Sequence, residues 1–356
     1  MDWFERLTGF RETNYLGTRA KFCVEGEHLI SLVNGERYGI GNFELVSLQT
    51  LRDRVAPAAI PPGRLRLSFA TGDIRDLHRM PTYAGALIQV ASQFNCLEMV
   101  SPKVTPEDGV TNYQHDQTQG PACSIAAGAA TIFRNYFVPI GNAIGQTREL
   151  QLDGLADLGA ALSAALNMPP AALWTMTNGY ALCSEPGLAG ISAYLASLNL
   201  ERLDHLRGKL RIGLHMDVQI TDGPGDPPQV VSQAFCSALP VAYSSIDPTL
   251  WAPFARIVLE AAYEATLLAA VLNHNRGGSH VVLLTHLGGG AFGNHRQWID
   301  DAIRRSLKLL SRFDLDVRIV SLRVAAFEMP HTTQPLQSSN HSATFHHSPA
   351  ISAADK

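Results

Sequence analysis

The chain has 356 residues, 46% of them hydrophobic and 17% charged, which is enough apolar material to bury one large domain or two small ones. Its net charge of −4 leaves no electrostatic case for nucleic acid or an anionic membrane as the main partner. No apolar run is long enough to span a bilayer, and Met1-Asp2-Trp3-Phe4-Glu5-Arg6 lacks the basic-then-apolar order of a signal peptide.

In chain order, residues 1–60 form an N-terminal extension expected to pack on the core, with short strands at Phe22–Val24, Leu29–Val33 and Phe43–Leu48. Asn34-Gly35 between apolar runs is a hairpin signal. The turn-rich stretch Pro57–Gly63 opens the main domain, residues 61–330, whose first strands are Leu65–Ala70 and Ala86–Ala91. Residues 93–120 are polar, acidic and aromatic without period 2 or 3.6. Long irregular stretches of this kind inside a domain often carry function. An alanine-rich helix follows at Ala122–Phe133. Residues 149–205 read as a helical insert (Leu155–Leu166, Ala171–Trp174, Leu188–Leu198) broken at Pro169-Pro170.

Strand-like runs then lie at Leu210–Ile220, Val230–Leu239 and Val241–Ser244, followed by an amphipathic helix over Phe254–Leu272. His280–Leu284 leads into Gly288-Gly289-Gly290-Ala291-Phe292-Gly293-Asn294. The helix after that loop has apolar residues at Ile299, Ala302, Ile303, Leu307 and Leu310, and the last strand spans Val317–Val324. Strands alternating with helices predict a layered α/β sheet. Residues 331–356, rich in Ser, His, Thr and Pro, read as a disordered tail, and its His331, His341, His346 and His347 lack the spacing of a metal site. The five cysteines (Cys23, Cys96, Cys123, Cys183, Cys236) are odd in number and never spaced as CxxC. They read as free thiols of a soluble, cytoplasmic protein.

The loop at 288–294 sits between a strand and a helix, where bare amides and glycine's freedom of φ suit a phosphate. It matches G-x-G-x-x-G, but it precedes the last strand and no acidic residue closes that strand, which disfavours a dinucleotide-binding oxidoreductase. Asp108 and Asp116, eight apart in the irregular segment and accompanied by Asn95, Glu98, Tyr113, Gln117, Thr118 and Gln119, suit a hydrolase that activates water beside a ribose-like cation. Neither a P-loop, an HExxH motif nor a zinc-ligand spacing is present.

These regions together resemble macrodomain-type ADP-ribose proteins. The loop Gly288–Asn294 is similar to the G-x-G-x-F-x-N phosphate loop of poly(ADP-ribose) glycohydrolase-like macrodomains, and Thr71-Gly72-Asp73-Ile74 to the G-D-I whose aspartate holds adenine. The resemblance is strongest to the MavL-type branch, ADP-ribosyl-arginine hydrolases acting on ubiquitin. It rests on Gln93-Phe94-Asn95-Cys96-Leu97-Glu98-Met99, on Asp108 and Asp116, and on Thr118–Cys123, while the Gln-Glu-Glu signature of the classical glycohydrolases is missing.

The resemblance implies a macrodomain-like layered fold with a central mixed sheet flanked by helices. It implies catalytic Asp108 and Asp116. Substrate would be bound by Asp73, Asn95, Glu98, Thr118, Gln119, Gly288, Gly289, Gly290, Ala291, Phe292, Gly293 and Asn294. The implied reaction releases ADP-ribose from a protein arginine, with ubiquitin as the protein partner, ADP-ribose as ligand or product, and no cofactor or metal. The alternative is a macrodomain module that binds ADP-ribose without turning it over. Beyond that stand another α/β nucleotide enzyme and a protein whose glycine turn is only structural.

Overall fold

A seven-stranded mixed sheet organises the chain. In the computed structural model, which describes residues 1–223 and 228–322, its strands are β1 (Asn42–Ser47), β2 (Arg66–Thr71), β3 (Leu87–Ala91), β4 (Arg211–Gln219), β5 (Val230–Cys236), β6 (Val281–Leu284) and β7 (Asp316–Ser321). They lie in the order β1-β4-β5-β3-β6-β7-β2. β5, β3, β6, β7 and β2 run parallel to one another, whereas β4 is antiparallel to both β1 and β5. The fold is therefore the mixed α/β layer that the sequence predicts. Residues 1–60 are less separate than an extension, because β1 completes the sheet.

The central strands are apolar on both faces because helices cover both. Along β3 and β6 the side chains alternate: Leu87, Val282 and Leu284 enter one core, and Ile88, Val90, Val281 and Leu283 the other. The first core is closed by helix Pro248–Asn275, most of whose side chains are buried, and by helices Leu48–Val55, Glu185–Ala196 and Arg296–Leu309. Arg52 and Arg305 bind Glu264 at 2.7 and 2.6 Å and also bind Asp204, tying four helices together. The second core holds Ile74, Leu77, Cys123, Ala127 and Ala130. Beyond it, Trp3, Phe4, Phe22 and Leu29 pack against Ile125, Ala129, Ile132 and Tyr136.

Several elements differ from the sequence reading. The alanine-rich helix is two, Gln119–Ala126 and Gly128–Tyr136, separated at Ala127. Val241–Tyr243 is a 3₁₀ turn rather than a strand. The insert is not all helical: Trp174–Thr177 and Tyr180–Cys183 form an antiparallel hairpin. Its turn residues Asn178 and Gly179 have φ of 47° and 81°, the left-handed pair that an Asn-Gly hairpin turn requires. No described helix is long and apolar enough to cross a membrane. Val324, Arg323 and the histidine-rich stretch 331–356 lie outside the described residues.

Candidate active site

The parallel strands all end on one edge of the sheet, so the segments after β2, β3, β5 and β6 converge there, the usual place for a ligand in a parallel sheet. Two cavities, of about 380 and 430 Å³, open at that edge. They share Asp116, Gln117, Thr118, Gln119, Thr285 and Leu322, so they form two halves of one cleft. The first half contains Glu98 and the glycine loop, and the second contains Gly72 and Asp73.

The glycine loop is built to stay open. Gly288 has φ +70°, and a Cβ there would stand 2.4 Å from that of Ala238. The loop is closed by its own bonds: Gly289 N donates to His286 O (3.0 Å), Gly293 N to Gly290 O (3.0 Å) and Asn294 N to Gly288 O (2.9 Å). Asn294 is buried, and its Nδ2 donates to Leu239 O at 2.8 Å. It therefore fixes the loop rather than facing the cavity. The amides of Gly288, Gly290, Ala291 and Phe292 have no acceptor among the described residues. Gly290 and Ala291 line the cavity, so bare N–H groups border it, as an anion requires.

Glu98 is the second component. Its segment leaves β3 through a tight turn with Cys96 in the left-handed region at φ 61°. Asn95 holds this turn: its Oδ1 accepts from Leu97 N at 3.1 Å and its Nδ2 donates to Gln151 Oε1 at 2.8 Å. Asn95 is thus committed internally and does not line either cavity, whereas Glu98 does. Glu98 is 2% exposed, its amide donates to Tyr113 OH at 2.9 Å, and its Oε1 has no partner among the described residues. Burial pushes its carboxyl up to about 8, against the opposing pull of the Arg134 charge and the Ser92 hydroxyl, and the Asp116 charge adds to the rise. Arg134, fully buried, donates to Cys96 O (3.2 Å), Ser124 Oγ (3.1 Å) and Thr131 Oγ1 (3.0 Å). These acceptors are neutral, so among the described residues Glu98 is left without a direct ion pair.

The irregular segment separates the two aspartates. Asp116 borders both cavities, its Oδ1 accepting from Thr118 N at 2.8 Å. Asp108 borders neither. Its carboxylate accepts from Thr105 N (2.8 Å) and Thr105 Oγ1 (3.0 Å), capping a short 3₁₀ turn. This corrects the pairing of two aspartates across a sugar: the carboxylate that shares the cavity with Asp116 is that of Glu98. The segment itself is anchored by Glu12, which accepts from Val110 N at 2.9 Å, Thr111 N at 2.7 Å and Tyr136 OH at 2.7 Å.

The other expected residues divide similarly. Thr118 and Gln119 line both cavities, but the Gln119 side chain is spent on Ala91 N and Gln89 O, both at 2.8 Å. Asp73 lines the second cavity while capping helix Ile74–Arg79 through Arg75 N (2.8 Å). Phe292 lines the first, and Gly289 and Gly293 shape the loop from outside it.

The cavity wall also includes Tyr180, Tyr243 and His286, none of them assigned from sequence. Tyr180 and Tyr243 form an aromatic cluster with Phe292, with centroids 5.2 to 5.6 Å apart. His286 also lines the cavity; its Nε2 is buried without a partner among the described residues, and burial followed by the Arg296 charge lowers its pKa. Tyr180 follows the Asn178-Gly179 turn, a signal the sequence did contain.

No protein-family model matches the chain, and no curated protein does. Among solved structures, it is similar to poly(ADP-ribose) glycohydrolase from Thermomonospora curvata, with 12% identity, TM-score 0.43, and 86% of this chain and 90% of that one covered. It is also similar to the enzyme from Deinococcus radiodurans in complex with ADP-ribose, with 13% identity, TM-score 0.41, and 79% and 87% covered. At such identity, and with TM-scores below 0.5, the likeness carries no argument about family or activity, and the mixed α/β fold stands on its own sheet topology. The expected place in the MavL-type branch is overturned: the structures that the chain resembles are bacterial poly(ADP-ribose) glycohydrolases. With it falls the support for an arginine linkage and for ubiquitin as partner.

Proposed function

We propose that this chain is a hydrolase of an ADP-ribose-linked glycosidic bond, acting on an oxygen-linked distal ribose such as that of poly(ADP-ribose). The observation that carries the reading is Glu98: a buried carboxyl, pushed up to about 8, in the cavity that the bare amides of the glycine loop border. The diphosphate lies on those amides, and the adenosine extends past Thr118 toward Asp73. An alkoxide leaves poorly unless protonated, and a carboxyl still neutral near pH 7 can give that proton.

As the C1–O bond breaks, its electron pair goes to the leaving oxygen, which takes the proton from Glu98. Water adds to C1 and loses a proton to Asp116, whose negative charge also favours the oxocarbenium character of the transition state. Arg134 restrains Glu98 from rising further, and Tyr113 fixes its backbone.

The test is release of ADP-ribose from poly(ADP-ribose) and from a mono-ADP-ribosylated acidic side chain, with wild type and Glu98→Gln. Release by the wild type alone supports the reading. No release from either substrate, with ADP-ribose still bound, leaves a binding module and removes the enzyme.

A further inference from the structure

At the opposite edge of the sheet, where β6 and β7 begin, the side chains of His274, His280 and Asp314 converge. One ligand atom from each lies within 4.8 Å of the others. We propose that these three residues hold a divalent transition-metal cation of zinc-like preference, which clips together the end of helix Pro248–Asn275, the entry to β6 and the entry to β7.

The donor set is two imidazoles and a carboxylate, the composition that suits zinc when water or another ligand completes the sphere. The groups come from three elements already fixed in place. Asp316 N donates to His280 O at 3.0 Å, and a Cβ on Gly63 would stand 2.6 Å from that of Asp314, so this backbone is closely held. The carboxylate is divided: Oδ1 faces Arg66 at 3.5 Å, and Oδ2 faces His280 Nδ1 at 3.4 Å. His274 Nδ1 lies 3.3 Å from Gly278 O; with the proton on Nδ1 that bond sets the tautomer and leaves Nε2 as a lone pair. The imidazole centroids are 5.6 Å apart. A cavity of about 350 Å³, lined by Pro61, Pro62, Val271, His274, Phe313 and Asp314, adjoins the cluster and gives room for a completing ligand. A His280–Asp314 ion pair accounts for two of the three groups but not for the approach of His274.

The experiment compares full-length wild type with His280→Ala, His274→Ala and Asp314→Asn after chelator treatment. Co2+ is titrated and followed by its visible absorption, with Zn2+ competition and thermal melting as further readouts. The tail histidines are common to all four proteins, so the difference between them reads this cluster alone. The expected result is one equivalent more Co2+ in wild type than in each variant, displaced by Zn2+, with a Zn2+-dependent rise in Tm that every variant loses. Equal Co2+ stoichiometry and spectra in wild type and folded variants would overturn the proposal, as would a wild type that binds no Co2+.

Discussion

The carboxylate of Glu98 lies directly against Gly120: a Cβ on Gly120 would stand 2.2 Å from Glu98 Oε2 and 2.1 Å from Ala91 O. The start of helix Gln119–Ala126 thus closes over the acid, and only a glycine leaves the acid its position. Gly120→Ala should abolish turnover by displacing the carboxylate. The fold should survive with a loss on the order of 1–3 kcal/mol, so a cooperative melt together with absent activity is the expected pair of observations.

Glu98→Gln keeps the shape and removes the transferable proton. Turnover should fall by roughly 10²- to 10⁴-fold while ADP-ribose binding persists. The same variant has a stability signature. The carboxyl holds its proton more tightly folded, at about 8, than at its ordinary value of 4.5. Its favourable contribution is therefore complete below about 4.5 and is lost as pH rises through about 8. Wild type should lose Tm across that window, and Glu98→Gln should lose less. Identical Tm profiles would contradict the assignment of this carboxyl as buried and neutral.

Activity itself should follow the protonated acid, with turnover declining as pH passes about 8. Asp116→Asn should lower turnover and also shift that alkaline limb downward, since the Asp116 charge contributes to the raised pKa of Glu98. A pH–rate profile of both proteins distinguishes this from simple loss of a binding contact, which would leave the limb in place.

Asp108→Ala separates the two aspartates. Losing the carboxylate that caps Thr105 should cost about 0.5–2 kcal/mol of stability. Turnover per folded molecule should remain within about twofold. A loss comparable to that of Asp116→Asn would return Asp108 to the reaction.

The glycine loop was legible because its signals are local: apolar strand, glycines and amphipathic helix follow one another in sequence, and the helix forms at Arg296–Leu309 with Ile299, Ala302 and Ile303 buried. The alternation of strands and helices likewise yields the sheet. The role of Glu98 was not legible. Its raised pKa comes from burial beneath residues distant in sequence, Tyr113 and Gly120 among those against it, with Arg134 opposing the rise, and no spacing near Glu98 encodes them. As polar residues in an irregular segment, Asn95 suggests a substrate contact and Asp108 a catalytic acid. In the folded chain the backbone of that segment uses them first. The hairpin at Trp174–Cys183 was hidden by its alanine- and leucine-rich surroundings, although Asn178-Gly179 carries the turn chemistry that betrays it.

The most direct measurement is calorimetric titration of ADP-ribose into wild type, Gly290→Ala and Gly288→Ala. A Cβ at Gly290 meets no described residue within 4 Å and borders the cavity, so Gly290→Ala should melt like wild type yet bind about 10-fold more weakly. Gly288→Ala, strained at φ +70° and crowded by Ala238, should lose binding altogether. Saturable binding by wild type, with that graded loss, is the predicted result. Absence of binding by wild type, or equal affinity in folded loop variants, would contradict the claim that a diphosphate rests on this loop.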